Sequence, residues 1–312
     1  MTAEQPIFEL ENVSYRYPTG TEALKNVNME IYKGARVAIL GPNGGGKTTL
    51  LEILDGLLSA SHGTVKAMGV ILNDATINSK EIYAFRRKVG FVFQDPDIEL
   101  FSPTVYDDIA FGPLHLGIPE EEINERVERA LNLLNMEELK NKHPYNLSSG
   151  EKRRAAIAAV LSIDPEVLLF DEPTADLDPK SRTELISIIN GLNRKGKTII
   201  TATHDVNAVP MLADHVYVLN KRIIAEGTSR RIFSDSELLK ENNLDVPEVF
   251  KLFEVLRCFD YNCEELPLSI DEAVEHLTRT IEIEGGHIHL HIHEHTHDEM
   301  RKIKSKYDHH QP

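Results

Sequence analysis

The spacing of apolar and polar positions changes several times along the chain, and each change predicts an element. Ile7-Phe8-Glu9-Leu10-Glu11-Asn12-Val13 alternates with the period of a half-buried strand, and residues 23–31 alternate again. The first forty residues therefore read as an antiparallel β unit feeding Arg36-Val37-Ala38-Ile39-Leu40, a short apolar run with strand character. Leu50-Leu51-Glu52-Ile53-Leu54 reads as a helix, residues 63–70 as a strand, and residues 81–88 as a polar helix before the buried strand Val89-Gly90-Phe91-Val92-Phe93-Gln94. Breaks at Pro103, Pro113 and Pro119 and an acidic helical stretch over 119–134 mark a helical insertion, about residues 95–163, that ends in an alanine-rich helix over 152–163. Val167-Leu168-Leu169-Phe170 is continuously apolar, as a strand buried on both faces should be. A helix over 179–195 and a strand over 197–203 complete tandem strand–helix units, which predict a mainly parallel sheet with helices on both faces. Beyond the α/β domain at residues 1–233, residues 247–256 and 270–277 are amphipathic at helical spacing and predict a small helical appendage over 234–280. Residues 281–312 form a His-rich tail.

Composition narrows the function classes. A net charge of −16 argues against nucleic acid as a partner, because non-specific binding to phosphates needs a basic surface. No apolar run approaches the roughly 18 residues of a membrane span, and Met1-Thr2-Ala3-Glu4-Gln5-Pro6 lacks the basic-then-apolar order of a signal peptide. Cys258 and Cys263 have no matching second pair for zinc and read as reduced thiols.

The candidate chemistry centres on Gly41-Pro42-Asn43-Gly44-Gly45-Gly46-Lys47-Thr48-Thr49, placed between a strand and a helix. In that context the glycines let consecutive backbone N–H groups curl around phosphate oxygens, and the helix N-terminus adds its positive dipole end. Lys47 would reach the β- and γ-phosphates of a nucleoside triphosphate, and the Thr48 hydroxyl would ligate Mg²⁺. Asp171 and Glu172 follow an apolar strand at its carboxyl end, where α/β sheets bind ligands. There Asp171 could hold Mg²⁺ directly or through water, and Glu172 could orient or deprotonate an attacking water. His204 ends another β-branched strand and should emerge on the same rim.

Together these motifs resemble one family, the ATPase subunits of ATP-binding cassette transporters, over about residues 6–230. The resemblance implies that Tyr17 stacks on adenine and that Gln94 ligates Mg²⁺ and senses the γ-phosphate. It implies that Leu147-Ser148-Ser149-Gly150-Glu151 is the signature motif, with Ser148 and Gly150 its working residues. Asp171 and Glu172 match the magnesium aspartate and catalytic glutamate, Ala175-Asp176-Leu177-Asp178 a dimer-contact loop, and His204 the switch histidine. A head-to-tail dimer, with itself or a paralogous ATPase, would close the signature of one chain over ATP held by the other. The signature departs from the usual Leu-Ser-Gly-Gly-Gln, and if Ser149 stood at a position needing positive φ its Cβ would be strained. Gly45 stands where many relatives carry Ala or Ser.

Residues 94–105 and Asp108-Ile109-Ala110-Phe111-Gly112-Pro113 are similar to energy-coupling-factor importers, which take up vitamins and transition metals. That resemblance implies a peripheral subunit on the cytoplasmic face of the membrane, with a transmembrane coupling subunit and a substrate-binding membrane subunit as partners. His287, His289, His291, His293, His295 and His297 alternate with other residues, so on a strand the imidazoles would share one face about 6.5–7 Å apart. Neutral imidazole suits nickel, cobalt, copper and zinc. Ile281-Glu282-Ile283-Glu284 also alternates, and Gly285-Gly286 between the runs predicts a hairpin pairing Glu284 with His287 and Glu282 with His289. The expectation is the ATP-hydrolysing subunit of a cobalt or nickel importer. A vitamin importer would share everything but the histidine row, and a soluble cassette ATPase remains a third reading.

Overall fold

The computed structural model describes residues 5–261, 263, 265–283, 290 and 296–307. The chain divides into two compact units, Met1–Ile232 and Phe233–Pro312.

In the first unit, strands β1 (Phe8–Arg16), β2 (Glu22–Ile31), β4 (His62–Ala67) and β5 (Val70–Ile71) form an antiparallel sheet in the order β2-β1-β4-β5. The alternation read from the sequence carries through: Phe8, Leu10 and Val13 are buried while Glu9 and Glu11 face outward or stand at the edge. The single strand expected over residues 63–70 is two strands, because Met68 and Gly69 take left-handed conformations and turn the chain back. The second sheet has six strands in the order β10-β9-β3-β8-β7-β6. Its strands are β3 (Arg36–Leu40), β6 (Val89–Val92), β7 (Val167–Asp171), β8 (Thr198–Thr203), β9 (His215–Asn220) and β10 (Arg222–Gly227), parallel except for the β9–β10 hairpin.

The parallel strands are apolar along their whole length because each is covered on both faces. One face, including Ile39, Leu169 and Ile200, packs with the antiparallel sheet and the helix Lys47–Leu54. The opposite face, including Val92, Leu168, Phe170 and Ile199, packs with the insertion helices Val105–His115, Glu120–Leu133 and Ser149–Leu161 and with helix Pro179–Arg194. Register brings the strand ends level. Leu40 pairs with Thr203 and Asp171 with Ala202, so Gly41, Glu172 and His204 all leave the sheet on one rim. Asp178 starts helix Pro179–Arg194 by accepting hydrogen bonds from the N–H groups of Lys180 and Ser181 at 3.0 and 3.1 Å.

The second unit is helical, with helices Ser236–Glu241, Glu248–Arg257, Ile270–Ile283 and Thr296–Tyr307. Two expectations are corrected here. Ile281, Glu282 and Ile283 are the last turn of a helix, not a strand of a hairpin. The apolar spacing of Ile270, Ala273, Val274, Leu277 and Ile281 is helical, and that longer pattern overrides the local alternation at 281–284. His297 is exposed on helix Thr296–Tyr307, whose first turn is favoured by Asp298 and Glu299, and is not in a strand row. Glu284, Gly285, Gly286, His287, His289, His291, His293 and His295 lie outside the described residues. No helix among the described residues is long and apolar enough to cross a membrane.

Asp55 closes the helix Lys47–Leu54 and is buried, which pushes its carboxyl pKa up to about 7 against the pull of Arg86. The folded chain therefore retains a proton that an unfolded chain has already released, so stability falls as pH rises from about 4 to about 7. The slope is about 1.4 kcal/mol per pH unit for one such group. Asp55→Asn removes this contribution, and melting curves from pH 5 to 8 should show a higher melting temperature at pH 8 and a shallower decline than the parent. Identical profiles would show that Asp55 does not titrate in this range.

Candidate functional site

The phosphate loop lies against the backbone of two strands and leaves no space for a side chain at Gly41 or Gly46. A Cβ on Gly41 would stand 2.1 Å from the Leu219 carbonyl oxygen, and one on Gly46 would stand 2.5 Å from that of Ala23. Gly46 also has φ +96°, which favours glycine, and it is the N-cap of helix Lys47–Leu54. Gly45 is tight too: an added Cβ would meet the Pro42 carbonyl at 2.9 Å. An Ala or Ser there would need the loop to shift by a few tenths of an ångström. The loop is tied down from behind, where Lys221 N–H donates to the Gly45 carbonyl at 2.8 Å.

Charged side chains converge on this loop. The Lys47 ammonium is buried, donates to the carbonyls of Gly41 and Pro42 at 2.9 and 3.2 Å, and lies 3.2 Å from Glu172 Oε1. Glu172 is the first residue after β7 and takes a left-handed conformation, φ 45°, fixed by its N–H bond to the Ala202 carbonyl. A non-glycine residue there carries strain that surrounding contacts must hold. Its carboxylate accepts from Thr203 Oγ1 at 3.0 Å and contacts His204 Nδ1 at 2.8 Å. Thr203 was not singled out from the sequence, since a threonine inside a β-branched strand carries no signal of its own.

Asp171 sits beside them. Its Oδ2 accepts from the Thr48 hydroxyl at 2.6 Å, while its buried Oδ1 has no hydrogen-bond partner among the described residues. Burial raises its carboxyl pKa, and the neighbouring Glu172 charge adds to the rise against the Thr48 hydrogen bond, Lys47 and Arg153. Glu52 is raised by burial and by Asp171. A hydroxyl, a carboxylate and the nearby Gln94 amide form an all-oxygen donor set, which suits a hard cation such as Mg²⁺. An orphaned carboxylate oxygen is what such a cation would satisfy.

Two cavities meet at this point. One, about 580 Å³, is lined by Tyr17, Asn43, Lys47, Thr48, Thr49, Gln94, Asp171, Glu172 and Lys221 among others. The other, about 660 Å³, shares Thr48, Gln94 and Asp171 and extends to Asp97, Ser149 and Arg153. Tyr17 reaches the first cavity with its hydroxyl 2.8 Å from Thr49 Oγ1 and its ring edge-on to Tyr15. Ser148 and Gly150 line neither cavity. Ser148 caps helix Ser149–Leu161 in a reciprocal box with Glu151: Ser148 N–H donates to Glu151 Oε2 at 2.7 Å, and Glu151 N–H to Ser148 Oγ at 3.3 Å. Ser149 is the first residue of that helix and is not at positive φ, so the strain feared for this departure does not arise. Gly150 packs close to Ser181, which a Cβ would approach at 3.0 Å.

The ABC transporter family pattern matches residues 24–175. A Methanocaldococcus jannaschii protein assigned to the ABC transporter ATP-binding proteins is 51% identical over 274 residues, 88% of this chain and 97% of the relative. The chain belongs to the ABC transporter ATP-binding family. It is an ATPase of that family and binds ATP. Among further relatives of this ABC cassette is the energy-coupling factor transporter ATP-binding protein EcfA of the same organism, 45% identical over 251 residues, 80% of this chain and 89% of that one. The solved structure of CbiO1 from Clostridium perfringens, part of the ABC transporter complex CbiONQ, matches with a TM-score of 0.68 at 41% identity. The match covers 77% of this chain and 95% of that chain.

Proposed function

We propose that this ABC cassette is the ATP-hydrolysing subunit of an energy-coupling-factor importer. The observation that carries the chemical half of this reading is the convergence of Lys47, Thr48, Asp171, Glu172 and His204 on one loop. Likeness to EcfA and CbiO1 supports the transport half. In this reading the loop N–H groups bind the phosphates and Tyr17 supports the adenine. Lys47 exchanges its contact with Glu172 Oε1 for phosphate oxygens, which leaves a lone pair of that carboxylate oxygen free to hold the attacking water. His204 keeps that carboxylate aimed and leaves its Nε2 for a phosphate oxygen. Thr48, Gln94 and Asp171 would hold Mg²⁺, which supplies charge neutralisation at the phosphates. Ser148 and Gly150 stand away from the chain's own loop and serve the ATP of a second cassette, a head-to-tail partner.

The membrane partner is assigned to the insertion. Phe101 is 63% exposed and packs edge-on to Phe111 at 4.9 Å, a costly pair to leave in water. Its backbone is fixed from below, since Asp108 Oδ1 accepts from the N–H groups of Phe101 and Ser102 at 3.1 and 2.9 Å. A cytoplasmic helix of the coupling subunit would cover the pair. The cargo assigned to the importer is cobalt or nickel, on the alternation of His287, His289, His291, His293 and His295 alone.

Three experiments test these assignments. Glu172→Gln should keep ATP binding, lower turnover by about 10²–10⁴-fold, the usual worth of a general base, and accumulate an ATP-bound dimer. Turnover at the parent rate would place the base elsewhere. Phe101→Ala should reduce co-purification with the membrane subunits while the isolated chain binds ATP as before. Lost ATP binding in the isolated chain would make Phe101 a residue of the fold. For the cargo, calorimetric titration with Ni²⁺ and Co²⁺ at pH 7.5 should show binding that weakens below about pH 6, as imidazoles near their usual pKa of about 6.5 take up protons. Serine at those five histidine positions should abolish the heat, and equal uptake by both proteins, or none by the parent, favours a vitamin importer.

A further inference from the structure

Three charged side chains outside the phosphate chemistry hold the segment that links the nucleotide cleft to the exposed aromatic pair. Strand β6 ends at Val92, Phe93 follows, and Gln94 is next. Phe93 N–H donates to Glu99 Oε1 at 2.6 Å, and its carbonyl accepts from Arg153 Nη1 at 2.7 Å. Both backbone polar groups of the residue directly before Gln94 are therefore gripped by side chains of opposite charge. Arg153 comes from helix Ser149–Leu161, and the same helix ties the same segment a second time through Lys152 and Asp97 at 2.6 Å. The Phe93 ring is packed on Phe91 with centroids 4.2 Å apart.

The arrangement is expensive. Arg153 is 4% exposed, and its Nε has no hydrogen-bond partner among the described residues. Burial pushes the Glu99 carboxyl up to about 7, with Phe93 N–H and Arg153 pulling it back. Burying charged side chains of this kind adds little stability over apolar replacements, but their hydrogen bonds to Phe93 fix geometry. The geometry fixed here is the backbone of Phe93, whose ψ sets the direction in which Gln94 leaves the strand.

We propose that Glu99 and Arg153 are positioning residues that clamp the Phe93 backbone and so aim Gln94 into the nucleotide cleft. The proposal rests on Gln94 serving as a Mg²⁺ and γ-phosphate contact. Neither clamp residue is assigned to ATP or the metal; each acts through Phe93.

The test uses the full chain, a non-hydrolysable ATP analogue (AMP-PNP) and a Mg²⁺ titration, with binding in EDTA and the melting temperature as companion readouts. Gln94→Ala is the reference. Glu99→Ala should raise the Mg²⁺ concentration for half-maximal analogue binding by about tenfold, the worth of one charge-assisted hydrogen bond, and leave binding in EDTA unchanged. Glu99→Met gives the same comparison with volume retained, should the alanine variant fail to fold. Glu99→Gln still offers an amide oxygen to Phe93 N–H and should stay within about twofold of the parent, a rescue that a general loss of packing would not show. Arg153→Lys, with a shorter reach and no planar fork, should shift in the same direction as Glu99→Ala. Combining Glu99→Ala with Gln94→Ala should add nothing to the Mg²⁺ requirement of Gln94→Ala. An unchanged requirement in Glu99→Ala and Glu99→Met, with Gln94→Ala shifted, overturns the clamp and leaves the Gln94 assignment standing. No shift in Gln94→Ala removes the assignment itself, and with it the clamp's purpose.

Discussion

The tight approach of the phosphate loop to the Leu219 and Ala23 carbonyls is the constraint on which the site depends. Backbone packed at that distance admits no side chain at Gly41 or Gly46, so the loop can lie there only with glycine at both positions. Its N–H groups are then organised before any phosphate arrives, and Lys47 is carried on the first turn of the helix to a fixed place. Ordering entropy is already spent in folding, and binding does not have to supply it.

Around that loop the sheet gathers charges that would be hard to place anywhere else. Parallel register levels the ends of β3, β7 and β8, so a glycine loop, two carboxylates and a histidine share a rim without any long-range loop to bring them together. Burying Lys47 between two carbonyls and Glu172 satisfies its three donors. Asp171 is less well served, with one oxygen unpaired among the described residues and its carboxyl pKa raised by burial. Stability is given up at the spot where a cation and polyphosphate would restore it, as functional sites often require.

Much of this was legible in the sequence, for identifiable reasons. The loop, Asp171–Glu172 and His204 announce themselves because each breaks a strong apolar run at the point where a parallel strand must end. Phosphate loops also need glycine where few other contexts do. The roles of Thr203, Glu99 and Arg153 were not legible. Their contacts are made across 31, 6 and 60 residues of chain respectively, and nothing local distinguishes them from an ordinary threonine, a loop carboxylate or a helical arginine. Local pattern misled in two places. Alternation over 281–284 reads as strand only in a short window, while the window from Ile270 onward is helical. Ser149 looked strained when compared with a glycine, yet the chain there is starting a helix, a conformation any residue adopts.

The reciprocal cap on helix Ser149–Leu161 carries one more implication. Position 151 is a carboxylate, and its hydrogen bond from Ser148 N–H holds its pKa below the usual range, so it stays ionised. The helix start therefore brings its own counter-charge, and part of the dipole that would attract an incoming anion is already neutralised. In the proposed head-to-tail pair, this terminus would face the polyphosphate of the other chain, and closure would bring two negative groups together. Such a repulsion would act as a spring, opposing closure and favouring separation of the closed pair. Because the carboxylate is near the surface, mobile ions would soften that spring, and the ease of closing would then depend on the ionic medium as well as on the protein.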